Sequence, residues 1–174
     1  VQHYLPDFLL ADPKAAARIT VRQLINHTNG IAGDYFPEDR GQQGNLIARF
    51  VDRCSFLPIV HPIGEMYSYS NTGFAIAGRL IEVASGISWY QAMERYIFEP
   101  LGMDHAIVDP GETVRFRTAM GHVYKGERCE LAEHTYLSFG MSPVGSVATM
   151  RPKDLILFAR AHLNGGLNQQ GQRW

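Results

Sequence analysis

Lysine is scarce in this chain of 174 residues, present only at Lys14, Lys125 and Lys153. The formal net charge is −1 and the sequence pI is near 6.7. Charges of both signs are interspersed, with no long run of either. A basic face of the kind that nucleic acid requires is therefore not expected, and no nucleic-acid partner is expected with it. Cysteine is almost absent. Cys54 and Cys129 are far apart and form neither a CxxC pair nor a metal-ligand spacing. They read as two separate small hydrophobes, and a disulfide between them depends on geometry that spacing does not give. No histidine pair has the His-Glu-x-x-His spacing of a zinc helix. Neither a metal nor a cofactor is expected. No apolar run approaches the ~18 residues of a membrane span. The first residues, Val1 to Pro6, offer neither a basic nor an apolar leader segment and do not begin with Met, so the natural chain is expected to start further upstream.

What is present is an ordinary globular composition, 45% hydrophobic and 19% charged, enough for one domain over residues 1–174 with a core of its own. Turn signals cut it into short helices. Thr20 with Gln23, and Ser88 with Gln91, have the spacing of capping boxes, in which two side chains reciprocally satisfy free amides at a helix start. The first predicts a short helix through Leu24 and Ile25 that stops near Asn29 and Gly30. The second predicts a helix through Met93, Tyr96 and Ile97, ended by Pro100 and Gly102. Residues 33–44 are polar and turn-rich and read as a surface loop. From Asn45, the spacing of Leu46, Ile47, Phe50, Val51 and Cys54 marks one buried stripe. The clearest helix follows Asn71, with Phe74, Ala77, Leu80, Ile81 and Ala84 expected on its buried face and Gly86 as its stop. Residues 105–108 suggest a short strand. Residues 120–124 and 128–131 flank Lys125-Gly126-Glu127 as a hairpin. Thr149 is expected to cap a last helix with Pro152 in its first turn and Leu155, Phe158, Ala159 and Leu163 as its stripe. The result is a mostly α chain with one small β-hairpin.

Five blocks, in order, carry a resemblance. They are Tyr-Leu-Pro-Asp-Phe at 4–8; Ile-Thr-Val-Arg-Gln-Leu-Ile-Asn-His-Thr-Asn-Gly at 19–30; Pro-Ile-Gly-Glu at 62–65 with Tyr-Ser-Tyr-Ser-Asn-Thr-Gly-Phe at 67–74; Ile-Phe-Glu-Pro-Leu-Gly-Met at 97–103; and Ser-Pro-Val-Gly-Ser-Val-Ala-Thr at 142–149 with Asp154-Leu155. Together they resemble the family of class C β-lactamases, penicillin-binding DD-peptidases and related esterases. The resemblance implies the central, largely helical part of the α+β β-lactamase/transpeptidase-like fold. It also implies acyl transfer through three motifs: Ser-x-x-Lys, Tyr-x-Asn, and Lys-Thr-Gly or its His variant. Three positions before the lysines stand Ala11, His122 and Met150, so no Ser-x-x-Lys is present. No Lys or His is followed by Thr-Gly or Ser-Gly either. By family order both motifs are expected outside these residues, leaving a piece truncated at both ends that is inactive by itself.

The second motif is Tyr69-Ser70-Asn71. In an extended segment, side chains at i and i+2 face the same way, so Tyr69 and Asn71 are expected to share one side and Ser70 the other. The resemblance gives Tyr69 a catalytic role in proton transfer between serine, leaving group and solvent. A free tyrosine, with a pKa near ~10, is a poor base at neutral pH, and a nearby ammonium group favours its phenolate. Asn71, with two donors and an acceptor, is expected to bind the substrate carbonyl. Two plainer readings stand beside these: Tyr69 as a buried aromatic, and Asn71 as the N-cap of the following helix.

The other candidates are weaker. His27 reads as a structural hydrogen-bonding group. Ser142 and Ser146 lie near a glycine turn without a Gly-x-Ser-x-Gly elbow. Asp154, in the first turn of a helix, is expected to serve the dipole or a local loop, and Trp89 and Tyr90 are expected in the core. The implied partner is a β-lactam, a D-Ala-D-Ala peptide or an ester. A non-catalytic ligand-binding or interaction module on the same fold remains the alternative. The apolar faces of helices over 72–84 and 153–163 suggest self-association or a partner chain.

Overall fold

In the computed structural model, residues 1–37, 46–133 and 136–174 are described. The described chain forms two compact units. The first comprises residues 1–92 and 138–146, the second 93–137 and 147–174.

The first unit opens with α1 (Pro13–Arg18). Asp12 caps it by accepting from the Lys14 N–H at 2.9 Å, and Pro13 begins it, where a missing amide is harmless. Helix α2 (Val21–Ile25) has the full capping box. The Thr20 N–H donates to Gln23 Oε1 at 2.9 Å, and the Gln23 N–H donates to Thr20 Oγ1 at 3.3 Å. It ends at Asn26, sooner than expected, because His27 turns into the left-handed region at φ 61°. Helix α3 (Leu46–Arg53) buries Leu46, Ile47, Phe50 and Val51, and Cys54 follows in a 3-10 turn, as the stripe predicts. The expected start at Asn45 and most of the expected loop lie outside the described residues. The Cys54 thiol donates to the Phe50 carbonyl at 3.3 Å, and burial pushes its pKa up to about 12. Both cysteines are free; Cys54 is buried and Cys129 exposed.

Helix α4 (Asn71–Ser85) is the longest among the described residues and stops at Gly86, φ 72°. Its buried face differs from the expected one. Thr72, Gly73, Ala75, Ile76, Gly78 and Leu80 are buried, whereas Ile81 and Ala84 are exposed. The reason is steric. A Cβ at Gly78 would lie 2.1 Å from Pro143 Cγ, and one at Gly73 would lie 2.7 Å from Asn29 Nδ2. The side that carries Gly73 and Gly78 therefore turns inward together with Ile76 and Leu80, where neighbours approach closely, and Ile81 is left outside. The core around it gathers Phe8, Ile19, Leu24, Ile31, Phe50, Ala75, Ile76 and Met141. Helix α5 (Trp89–Met93) begins with the second box, Ser88 N–H to Gln91 Oε1 at 3.1 Å and Gln91 N–H to Ser88 Oγ at 3.2 Å. Trp89 is buried, and the Tyr90 hydroxyl lies 2.8 Å from Ser142 Oγ, which donates to the Phe139 carbonyl.

The second unit begins with a π turn (Glu94–Phe98) and α6 (Glu99–Leu101), ended by Gly102. Strands β1 (His122–Lys125) and β2 (Arg128–Leu131) pair antiparallel, with Lys125 opposite Arg128. Their turn is therefore two residues long, one shorter than expected. Gly126 has φ 66°, a positive φ at its first central position, as a type II′ turn requires. The expected strand at 105–108 reduces to one bridge, in which Ile107 and Thr149 exchange backbone hydrogen bonds at 2.9 Å each. That pairing takes Thr149 away from the expected capping role. Helix α7 (Pro152–Leu163) is capped instead at Arg151, whose N–H and guanidinium meet Asp154. Its buried residues are Asp154, Leu157 and Ala161, while Leu155, Ala159 and Leu163 are exposed. With the carboxylate of Asp154 drawn inward to its ion pair, positions three and seven residues later share that side.

Candidate active site

The site segment, residues 67–74, precedes and enters α4 and is held from across the chain by residues 27–34. Ser70 caps the helix: it is 1% exposed, and its Oγ accepts from the Gly73 N–H at 3.0 Å. Asn71 is thus the first helical residue and not the cap. Thr72, fully buried, donates from Oγ1 to the carbonyls of Ala32 and Gly33 at 3.0 and 3.1 Å, and its N–H donates to the Gly33 carbonyl. Gly33 is required for this approach, because a Cβ there would lie 2.5 Å from the Tyr69 carbonyl oxygen and 3.1 Å from Ser70 Cα. The two sequence blocks at 19–30 and 67–74 therefore form one structural unit.

Tyr69 is 61% exposed, so the buried-aromatic reading is not what the structure shows. Its ring stacks on the His27 imidazole, centroids 4.5 Å apart and planes 25° apart. His27 Nδ1 accepts from the Ser70 N–H at 3.0 Å, and the His27 carbonyl accepts from the Ser68 N–H at 2.8 Å. Half-buried Asn71 donates from Nδ2 to Asp34 Oδ1 at 3.1 Å. An amide carries two N–H donors and a carbonyl acceptor, and this bond uses one donor. Tyr69 and Asn71 thus both reach solvent while the residue between them is buried, as the i, i+2 spacing requires.

Sequence reasoning singled out Tyr69 and Asn71 and read His27 as a structural hydrogen-bonding group, which it is; it gave neither the stacking of His27 on Tyr69 nor the bond from Asn71 to Asp34. The local sequence carries no signal for either contact, since the partners are separated by some forty positions. Ser142 and Ser146 take no part in the segment, and Asp154 belongs to the N-terminus of α7. Among the described residues, no group of three His, Cys, Asp or Glu side chains is placed to hold a metal ion, and no helix is long and apolar enough to cross a membrane.

The β-lactamase family model matches residues 1–174, and the chain belongs to that family. Penicillin-binding protein 4 of Amycolatopsis lactamdurans is 39% identical over 175 residues, covering 99% of this chain and 45% of that protein. The chain thus spans less than half the length of that relative. The D-amino acid amidase from Ochrobactrum anthropi SV3, solved in complex with D-phenylalanine, superposes with a TM-score of 0.72 at 24% identity, covering 97% of this chain and 50% of that one. A class C β-lactamase superposes with a TM-score of 0.70 at 19% identity, covering 94% and 42%. The last two likenesses show the fold: a mostly helical chain with a small two-stranded sheet, of the β-lactamase/transpeptidase type.

Proposed function

We propose that this chain supplies the Tyr-x-Asn element of a serine acyl hydrolase of β-lactamase, DD-carboxypeptidase or esterase type. In this reading a serine outside these 174 residues attacks the acyl carbon, expels the leaving group, and is freed by water through an acyl-enzyme. Tyr69 relays the proton from the attacking serine to the leaving group, and Asn71 binds the substrate carbonyl with the amide hydrogen that Asp34 leaves free. One observation carries the reading: a buried Ser70 fixes the helix start while its two neighbours face solvent. General acid–base transfer contributes ~10² to 10⁴ in rate when the group is in hydrogen-bond reach, so a fixed, accessible phenol is the expected arrangement.

The substrate is a small molecule or peptide: a β-lactam, a D-Ala-D-Ala peptide or an ester. The chain alone is inactive in this reading, for want of the nucleophile. The test is intact-mass analysis after incubation with a fluorescent penicillin and with p-nitrophenyl acetate. No adduct is expected on the 174-residue chain, and a serine adduct is expected on a protein joining this chain to a Ser-x-x-Lys segment. An acyl adduct on a serine of the chain itself contradicts the proposal. No adduct on the joined protein favours a ligand-binding module. Exposed Leu155, Ile156 and Leu163 on α7 support self-association of the chain. A purely monomeric sedimentation profile contradicts that.

A further inference from the structure

His27 is the only non-glycine residue with a positive φ among the described residues, at 61°. A histidine in that region is uncommon and persists where its surroundings require it. Here the surroundings are the two peptide groups that flank Tyr69. The His27 carbonyl takes the Ser68 N–H at 2.8 Å, and its Nδ1 takes the Ser70 N–H at 3.0 Å. Its ring then lies face to face with the Tyr69 ring at 4.5 Å. Tyr67 meets the imidazole edge-on at 5.4 Å, and Phe74 lies tilted against it at 5.0 Å. One residue thus fixes the backbone on both sides of Tyr69 and supplies a surface for its side chain.

Resting on the catalytic reading of Tyr69, we propose that His27 is a positioning residue that holds the Tyr69 hydroxyl in place for proton transfer. A phenol at the end of a half-exposed side chain swings through several ångströms unless its ring is held. Proton relay requires heavy atoms within ~3.2 Å, and a misplacement of ~1 Å at a reacting group lowers rates by about 10²-fold. The left-handed backbone aims the imidazole at the segment. The Nδ1 bond sets the ring plane, and stacking transmits that plane to Tyr69.

His27→Asn separates the parts. Asn tolerates the left-handed region and offers Oδ1 in place of Nδ1, so the Ser70 bond is kept while the stacked ring is lost. The experiment is a double-mutant cycle on acylation by a fluorescent penicillin, with p-nitrophenyl acetate as a second acyl donor. It is measured in a protein that joins this chain to a Ser-x-x-Lys segment. His27→Asn is expected to stay folded and lower the acylation rate by about tenfold or more. Tyr69→Phe lowers it further, and the double variant matches Tyr69→Phe alone, because His27 acts only through that hydroxyl. A structural role of His27 gives additive losses instead. Full rate in a folded His27→Asn, or additivity in the cycle, overturns the proposal and leaves Tyr69 catalytic. Full rate in Tyr69→Phe overturns the catalytic reading. In that case the Tyr69 ring proton resonances of the 174-residue chain decide whether His27 positions the ring. A ring-current shift lost in His27→Asn supports positioning, and unmoved resonances overturn it. Should His27→Asn fail to fold, His27→Gln enters the same cycle, keeping a polar side chain without the ring.

Discussion

The two helices α4 and α7 begin in opposite ways. At α4 the cap is a neutral, buried hydroxyl, Ser70, and the residues around it are bonded to His27, Ala32 and Gly33, some forty positions away. At α7 the cap is an ion pair closed within four residues. The Arg151 N–H and Nε donate to Asp154 Oδ2 at 3.3 and 2.9 Å, and Nη2 donates to Oδ1 at 3.0 Å, with the carboxylate fully buried. A long-range network fixes a segment in space; a local charged pair fixes only its own helix. The first kind positions a chemical group, and it is the kind found beneath Tyr69 and Asn71. The second strengthens a helix but ties that strength to a titrating carboxylate.

Three substitutions and a pH series probe this contrast, from the largest expected effect to the smallest. Gly33→Ala drives a methyl group into the Tyr69 carbonyl, 2.5 Å away. A loss of about 2–3 kcal/mol is expected for such overpacking against backbone, measured by urea unfolding, together with a displaced Tyr69 signal. An unchanged midpoint removes the close contact from the account. Asp154→Ala strips the buried acceptor from α7 and is expected to lower stability by about 2 kcal/mol, without moving the Tyr69 resonances. A shift of those resonances would break the separation between the two helix starts. Ser70→Ala removes the cap of α4 at about 1 kcal/mol and, unlike Asp154→Ala, broadens the Tyr69 and Asn71 signals.

The fourth is a pH series. Hydrogen bonds from Arg151 hold the Asp154 carboxyl below its ordinary range, outweighing burial, which acts the other way. The native state therefore binds fewer protons than the unfolded state between that lowered pKa and the ordinary value near ~3.9. The contribution is whole above the ordinary value and is lost as the pH falls through the lowered one. Unfolding midpoints should decline in acid for the parent and flatten over that interval in Asp154→Asn. Ser70→Ala should subtract a constant amount at every pH.

What was legible in the sequence follows the same division between local and distant contacts. The Thr20–Gln23 and Ser88–Gln91 boxes could be read because both partners lie within one turn. The stripe of α3 held because Leu46, Ile47, Phe50 and Val51 are the only large apolar residues available to that helix. Tyr69 and Asn71 were singled out through the block around them. The buried face of α4 was misjudged because hydrophobicity favours Ile81, whereas Pro143 seats on Gly78 and decides the outcome. Thr149 looked like a cap until its backbone was engaged by Ile107. Asp12 and Pro13 announce α1 plainly and were passed over. His27 could be read as a hydrogen-bonding group but not by its partners, and Asp34 left no trace, since a surface aspartate gains meaning only from a segment that folds onto it.

The central claim is that Tyr69 is placed for chemistry and not for packing. It is tested most directly by the acylation rate of Tyr69→Phe, in a protein that joins this chain to a Ser-x-x-Lys segment. The variant loses one oxygen and keeps the ring that stacks on His27. The account predicts an unchanged unfolding midpoint and a rate about 10²-fold lower or more. A folded Tyr69→Phe protein that acylates at the parent rate contradicts it.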